Sequence, residues 1–173
     1  MKYHFALALL LTAANSQAQQ VDVSPPAQPV LEWLQGCRDI TSPLEPYATV
    51  MDYACVEKAT AFCEVGGDDD ASRACRVGLS EWYAAEVTRL LKGLSAEALP
   101  AGFQRDSLQR RLDRLRNSRM DGCSDDRLSQ ACAEFTEGAS PDEPCPEAKI
   151  HEMCVLSERG AAWLEARALG RRP

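Results

Sequence analysis

The chain has 173 residues, with 19 Lys and Arg against 26 Asp and Glu, eight cysteines and two histidines, for a net charge of −7. An acidic surface repels nucleic acid and anionic lipid headgroups and steers basic partners inward, so a nucleic-acid role is not expected. Beyond the first twenty residues no segment is long and apolar enough to span a bilayer.

The N-terminus reads MKYHFALALLLTAANSQAQQ. Lys2 supplies a positive start, Phe5 to Ala14 an apolar stretch, and Ser16 and Ala18 small residues at the −3 and −1 positions of a cleavage site. Residues 1–18 therefore read as a secretory signal cut after Ala18, and the expected location is the periplasm or the exterior. No cysteine follows the apolar stretch where a lipid anchor would need one. Without residues 1–18 the chain has 18 basic and 26 acidic residues, a charge of −8. Residues 19–29 are polar and Pro-containing and read as a flexible leader. Residues 30–170 are expected to form one helical domain, long enough to bury a core of its own.

Helical spacing recurs along that domain. Met51, Cys55, Ala59 and Phe62 predict a helix from about Ala48 to Cys63, ended by Gly66-Gly67. Asp68 to Asp70 suit the start of the next helix, where the dipole favours negative charge. That helix, about Ser72 to Lys92, carries the stripe Leu79, Tyr83, Val87, Leu90 and Leu94 and stops near Gly93. Ser95 is placed to cap a short turn. Leu108, Leu112 and Leu115 predict a helix from about Gln104 to Met120 whose other face bears Arg105, Arg110, Arg111, Arg114, Arg116 and Arg119. Ser124 is a candidate cap for a short helix over Asp125 to Phe135, and Gly138 to Pro144 reads as a loop. Pro146 at a first helical position opens the last helix, with Ile150, Met153, Ser157, Ala161, Leu164 and Ala168 expected inward and Gly160 a weak point. The expected fold is all-α: a disulfide-stapled bundle of three long helices and one or two short ones.

Cys37, Cys55, Cys63, Cys75, Cys123, Cys132, Cys145 and Cys154 all lie beyond the signal, and an even number in an exported chain fits a disulfide framework. Cys55 and Cys63 share one predicted helix with about 12 Å of rise between them, too far for a bond that needs Cα atoms within about 7 Å. The helices over 72–92 and 104–120 are joined by a short connection, so an antiparallel pair is expected. That arrangement brings Cys75 near Cys123, gathers cysteines at the end opposite the 93–102 turn, and favours a bond from Cys75 into the 123–154 region.

No C-x-x-C pair is present, and beyond the signal the chain has one histidine, His151, read as a helix-surface residue. No metal, no redox pair and no cofactor is expected. Neither a G-x-S-x-G, a Gly-rich phosphate loop nor H-E-x-x-H occurs, and no catalytic residue is expected. Asp125-Asp126 and Asp68 to Asp70 read as helix-start acids, and the arginine face as solvated. Trp33, Trp82 and Trp163 read as core or half-buried packing, with an exposed one a candidate interface anchor.

Three stretches carry a resemblance. They are Cys55-Val-Glu-Lys-Ala-Thr-Ala-Phe-Cys63, Ala74-Cys75-Arg-Val-Gly-Leu79-Ser-Glu-Trp82-Tyr83, and Arg119-Met-Asp-Gly-Cys123. With Cys154-Val-Leu-Ser-Glu-Arg159-Gly-Ala-Ala-Trp163-Leu164 further on, their order resembles the LprI-type lysozyme-inhibitor family of small exported helical proteins with paired cysteines. Tyr83, Glu86 and Val87 stand where that family carries an Asp and a Leu-Asn pair, and Met120 where it carries an Asp. The resemblance implies a binding protein and not an enzyme: it would block a peptidoglycan-cleaving enzyme by covering its cleft, with a basic lysozyme as the expected partner. The sequence does not place the partner-binding surface; the loop near Gly138 to Pro144, held by its prolines and neighbouring cysteines, is one candidate. The alternative is an envelope structural, stress or immunity-type protein of the same fold with another protein partner.

Overall fold

The structure is a computed structural model describing residues 28–41, 47–65, 68–98, 102–117, 123–138 and 144–171. The signal, nearly all of the leader and most of the 138–144 loop lie outside the described residues, as do Gly66-Gly67, Arg119 and Met120. The described residues form six α-helices and one 3-10 turn: α1 (Gln28–Ile40), α2 (Ala48–Cys63), α3 (Asp69–Lys92), the turn Ala96–Ala98, α4 (Phe103–Asn117), α5 (Asp125–Gly138) and α6 (Glu147–Gly170). The all-α, disulfide-stapled bundle expected from sequence is what is found.

Local chemistry sets most boundaries. Asp68 Oδ1 accepts from Ala71 N at 2.7 Å, and Asp69 and Asp70 follow in the first turn of α3. Gly93 closes that helix. Ser95 Oγ accepts from Glu97 N at 3.1 Å and caps the 3-10 turn. Gly102 enters α4 at φ 142°, a conformation that disfavours any side chain. Ser124 Oγ accepts from Arg127 N at 3.4 Å at the start of α5. Pro146 sits one position earlier than expected, as the residue capping α6.

Helices α3 and α6 form the central pair and run parallel. Arg76 meets Glu152, Ser80 meets Arg159, and Gly170 reaches Leu94. Between them Tyr83 and Trp163 are fully buried with ring centroids 5.6 Å apart, and Trp82 stands 5.8 Å from Trp163. Helix α6 is continuous through Gly160. This glycine permits a close approach, since a Cβ there would lie 3.2 Å from Val56 Cγ1 and 3.8 Å from Tyr83 Cε2.

Three expectations need correction. First, the sequence reading lacks α1, which begins at Gln28 and Pro29 inside the expected leader and buries Leu31 and Leu34 as its inner stripe. Second, the buried face of α6 is Leu156, Gly160, Ala162, Trp163, Ala166 and Leu169, while Met153, Ser157 and Ala161 are exposed. The indole of Trp163 and the small residues around it decide the face, because they let α6 seat closely on α3. Third, α4 does not lie along α3. Its second half buries Leu112 and Leu115, Arg116 donates to Leu94 O at 3.0 Å, and Arg111 pairs with Glu165 at 2.9 Å. Phe103 at its start is 82% exposed. Helix α4 therefore crosses the far ends of α3 and α6, where its two buried leucines find apolar cover.

The Tyr83 hydroxyl and Trp163 Nε1 are buried without a hydrogen-bond partner among the described residues. Burial also raises the Tyr83 pKa well above the ordinary phenol value, so the phenol stays neutral. Tyr83→Phe removes an unsatisfied polar group and keeps the ring contacts. We expect urea unfolding to give unchanged or higher stability, by up to about 1 kcal/mol. A loss of more than about 1 kcal/mol would reveal a partner for that hydroxyl.

Candidate protein-interaction surface

All eight cysteines pair: Cys37 with Cys55, Cys63 with Cys75, Cys123 with Cys154, and Cys132 with Cys145. Cys55 and Cys63 do not bond to each other, as the rise between them requires. The expected bond from Cys75 into the 123–154 region is not formed. Cys63 ends α2, the short return into α3 brings it beside Cys75 at a Cα separation of 5.3 Å, and the nearer partner takes the bond. Two bridges thus stitch α1 to α2 and α2 to α3. The other two fasten α5, none of whose residues from Asp125 to Thr136 is buried, onto the start of α6.

A buried polar knot completes the attachment of the α1–α2 hairpin. Asp52, with none of its surface exposed, accepts from Thr41 Oγ1 at 2.9 Å and Arg167 Nε at 2.6 Å, and it pairs with Arg171. Arg167 Nη2 also donates to Arg38 O and Thr41 O, both at 3.3 Å, satisfying carbonyls at the C-terminal end of α1. Its guanidinium lies 5.0 Å from the centroid of Trp163. Beside this knot Glu86 sits between Arg89 and Arg38. Burial pushes its carboxyl up, but the hydrogen bonds and charges of Arg89 and Arg38 outweigh that and hold its pKa below the ordinary value. These groups fix helices; their lone pairs and protons are spent on one another.

The remaining sequence candidates are on or near the surface. His151 is exposed, and no group of three or more His, Cys, Asp or Glu placed to hold a metal ion occurs among the described residues. No described helix is long and apolar enough to cross a membrane. Arg110 and Arg114 face solvent, while Arg111 and Arg116 are engaged as given above. Trp82 and Trp163 are core residues, and Trp33 alone of the three is exposed, at 37%.

Trp33 leads to a surface that sequence reading missed. Met51 and Phe62, two of the four residues whose spacing predicts α2, are 40% and 46% exposed. The buried face of α2 is instead Ala48, Asp52, Cys55, Ala59 and Cys63, turned part of a step round the helix. Tyr47, Met51, Ala54, Lys58, Phe62 and Val65 consequently form an outward stripe at helical spacing. On α1, Trp33 and Ile40 stand seven residues apart on one exposed face. Trp33 and Phe62 join the two, edge to face, with centroids 5.3 Å apart. A helix apolar on both sides ordinarily has both sides covered.

The rim of this face is acidic. Glu32 and Asp39 repeat seven residues apart on α1 beside Trp33 and Ile40, and Glu57 and Glu64 do the same on α2 beside Lys58 and Val65; all four are exposed, with Asp39 paired to Arg38 and Glu64 to the nearly buried Arg76, each at 2.8 Å. Between residues 28 and 70 the sequence has nine acids and two bases, a charge of −7. From 71 to 173 it has sixteen of each. The acidity of the protein therefore belongs to the α1–α2 hairpin and the entry to α3.

In comparisons with protein-family models, with curated proteins and with solved structures, nothing matches this chain.

Proposed function

We propose that this is an exported binding protein of the lysozyme-inhibitor kind, which blocks a peptidoglycan-cleaving enzyme by occluding its cleft in the periplasm or outside the cell. The observation that carries the reading is the aromatic and aliphatic face of α1 and α2, acid-rimmed and held in place by the Cys37–Cys55 and Cys63–Cys75 bridges. Interfaces have this anatomy: an apolar centre with an aromatic anchor and a polar border. Occlusion asks for a rigid surface and no reacting group, and cross-linking lowers the ordering cost of binding. Export fits both the N-terminal signal reading and the four bridges, which persist in an oxidising compartment. Titrating residues 19–173 into a cell-wall clearance assay tests the proposal. Lysozyme activity should fall in proportion to added protein, and undiminished clearance by several lysozyme types would refute it.

A further inference from the structure

We propose that the α1–α2 face docks a basic protein, with Trp33 and Phe62 as the central anchor and the acidic rim as the steering element. The inference rests on the functional reading above only in taking the partner to be a protein.

Charge decides between occupants. A second copy related by two-fold symmetry would press two faces of this hairpin together, each bearing the exposed acids Glu32 and Glu57 with Asp68 to Asp70 at its edge. Like charges so opposed cost free energy, and anionic lipid headgroups meet the same repulsion. A cationic protein surface is attracted instead. The apolar stripe is suited to the interface centre: its one cation, Lys58, is set against Glu32 and Glu57, and the exposed Asp68, Asp69 and Asp70 continue the acidic side at the entry to α3, while Asp39 and Glu64 are already paired with Arg38 and Arg76. The two parts have separable effects. Rim charges raise the association rate and make it salt-dependent, while a desolvated aromatic anchor slows dissociation.

The test is binding of residues 19–173 to a basic c-type lysozyme, with cytochrome c as a basic protein that does not cleave peptidoglycan. Surface-plasmon and clearance measurements are run together. Trp33→Ala and Phe62→Ala should each weaken lysozyme binding about tenfold or more, chiefly through faster dissociation. Because Trp33 and Phe62 also pack on each other, Tyr47→Ser and Val65→Ser serve as a second pair; these side chains are 71% and 74% exposed and their loss should not affect folding. Glu32→Lys with Glu57→Lys should slow association and flatten its salt dependence. Arg110→Glu with Arg114→Glu on α4 should change little. Inhibition that survives every α1–α2 substitution would overturn this surface and leave the function standing. Binding that the α1–α2 substitutions weaken, but without loss of clearance, would support the surface and sink the inhibitor reading. Equal affinity for cytochrome c with no effect of Trp33→Ala or Tyr47→Ser, concentration-dependent self-association through this face, or no binding to either protein would overturn the docking proposal.

Discussion

Asp52→Ala should lower the free energy of unfolding by about 3–5 kcal/mol, among the largest effects of any single substitution in this protein. Among the described residues Asp52 is the carboxylate that pairs with both Arg167 and Arg171, and its side chain is almost wholly inaccessible to solvent, with Arg167 and Arg171 only 10% and 11% exposed. Deleting it leaves two guanidinium groups facing each other in a poorly solvated site. It also frees Arg167 from the position in which it satisfies Arg38 O and Thr41 O. The loss therefore spreads from one ion pair to the C-terminal end of α1. Urea unfolding followed by far-UV circular dichroism gives the midpoint. Asp52→Asn keeps the volume and one acceptor and should lose less. A midpoint unchanged by Asp52→Ala would show that the knot adds nothing, as exposed ion pairs often do.

Complete reduction should unfold the protein. The bridges span 18, 12, 31 and 13 residues. In the chain-entropy account each such closure is worth about 3 kcal/mol, and four approach the whole stability of a domain this size, about 5–15 kcal/mol. The contributions are unequal. Cys132–Cys145 lies inside the loop already closed by Cys123–Cys154 and holds the peripheral α5, so its replacement by serines should cost least. Replacing Cys63 and Cys75 should cost about 3 kcal/mol, because both are nearly buried where α2 turns into α3. Circular dichroism with and without reductant should show most helicity lost on reduction. A reduced chain that keeps its helicity and its urea midpoint would mean that the core alone sustains the fold.

What the sequence discloses follows how local the physics is. Helix α2 is readable to the residue from its apolar spacing, and α3 nearly so, because Asp68 caps it and Leu79, Tyr83 and Val87 mark its core stripe. Pairings between distant segments are not readable. Nothing at Asp52 announces Arg167, 115 positions away. The Cys75 bond is mistaken because α4 was placed alongside α3, whereas its buried leucines draw it across the bundle end. The candidate surface is half legible: Trp33 reads as an anchor if exposed, but Met51 and Phe62 enter only as part of the apolar spacing that predicts α2, beside the buried Cys55 and Ala59. A rotation of α2 smaller than one residue step separates those readings, and apolar spacing alone does not resolve it when both faces of a helix are apolar.

On the function proposed above, the disulfide-held α1–α2 face covers the cleft of a peptidoglycan-cleaving enzyme. Steady-state cleavage of a soluble peptidoglycan oligosaccharide by a basic c-type lysozyme, with residues 19–173 added in steps, tests it most directly. KM should rise with kcat unchanged and the effect should saturate at one protein per enzyme, both abolished by Trp33→Ala with Tyr47→Ser. Full activity at micromolar excess, or inhibition with KM unchanged, would contradict it.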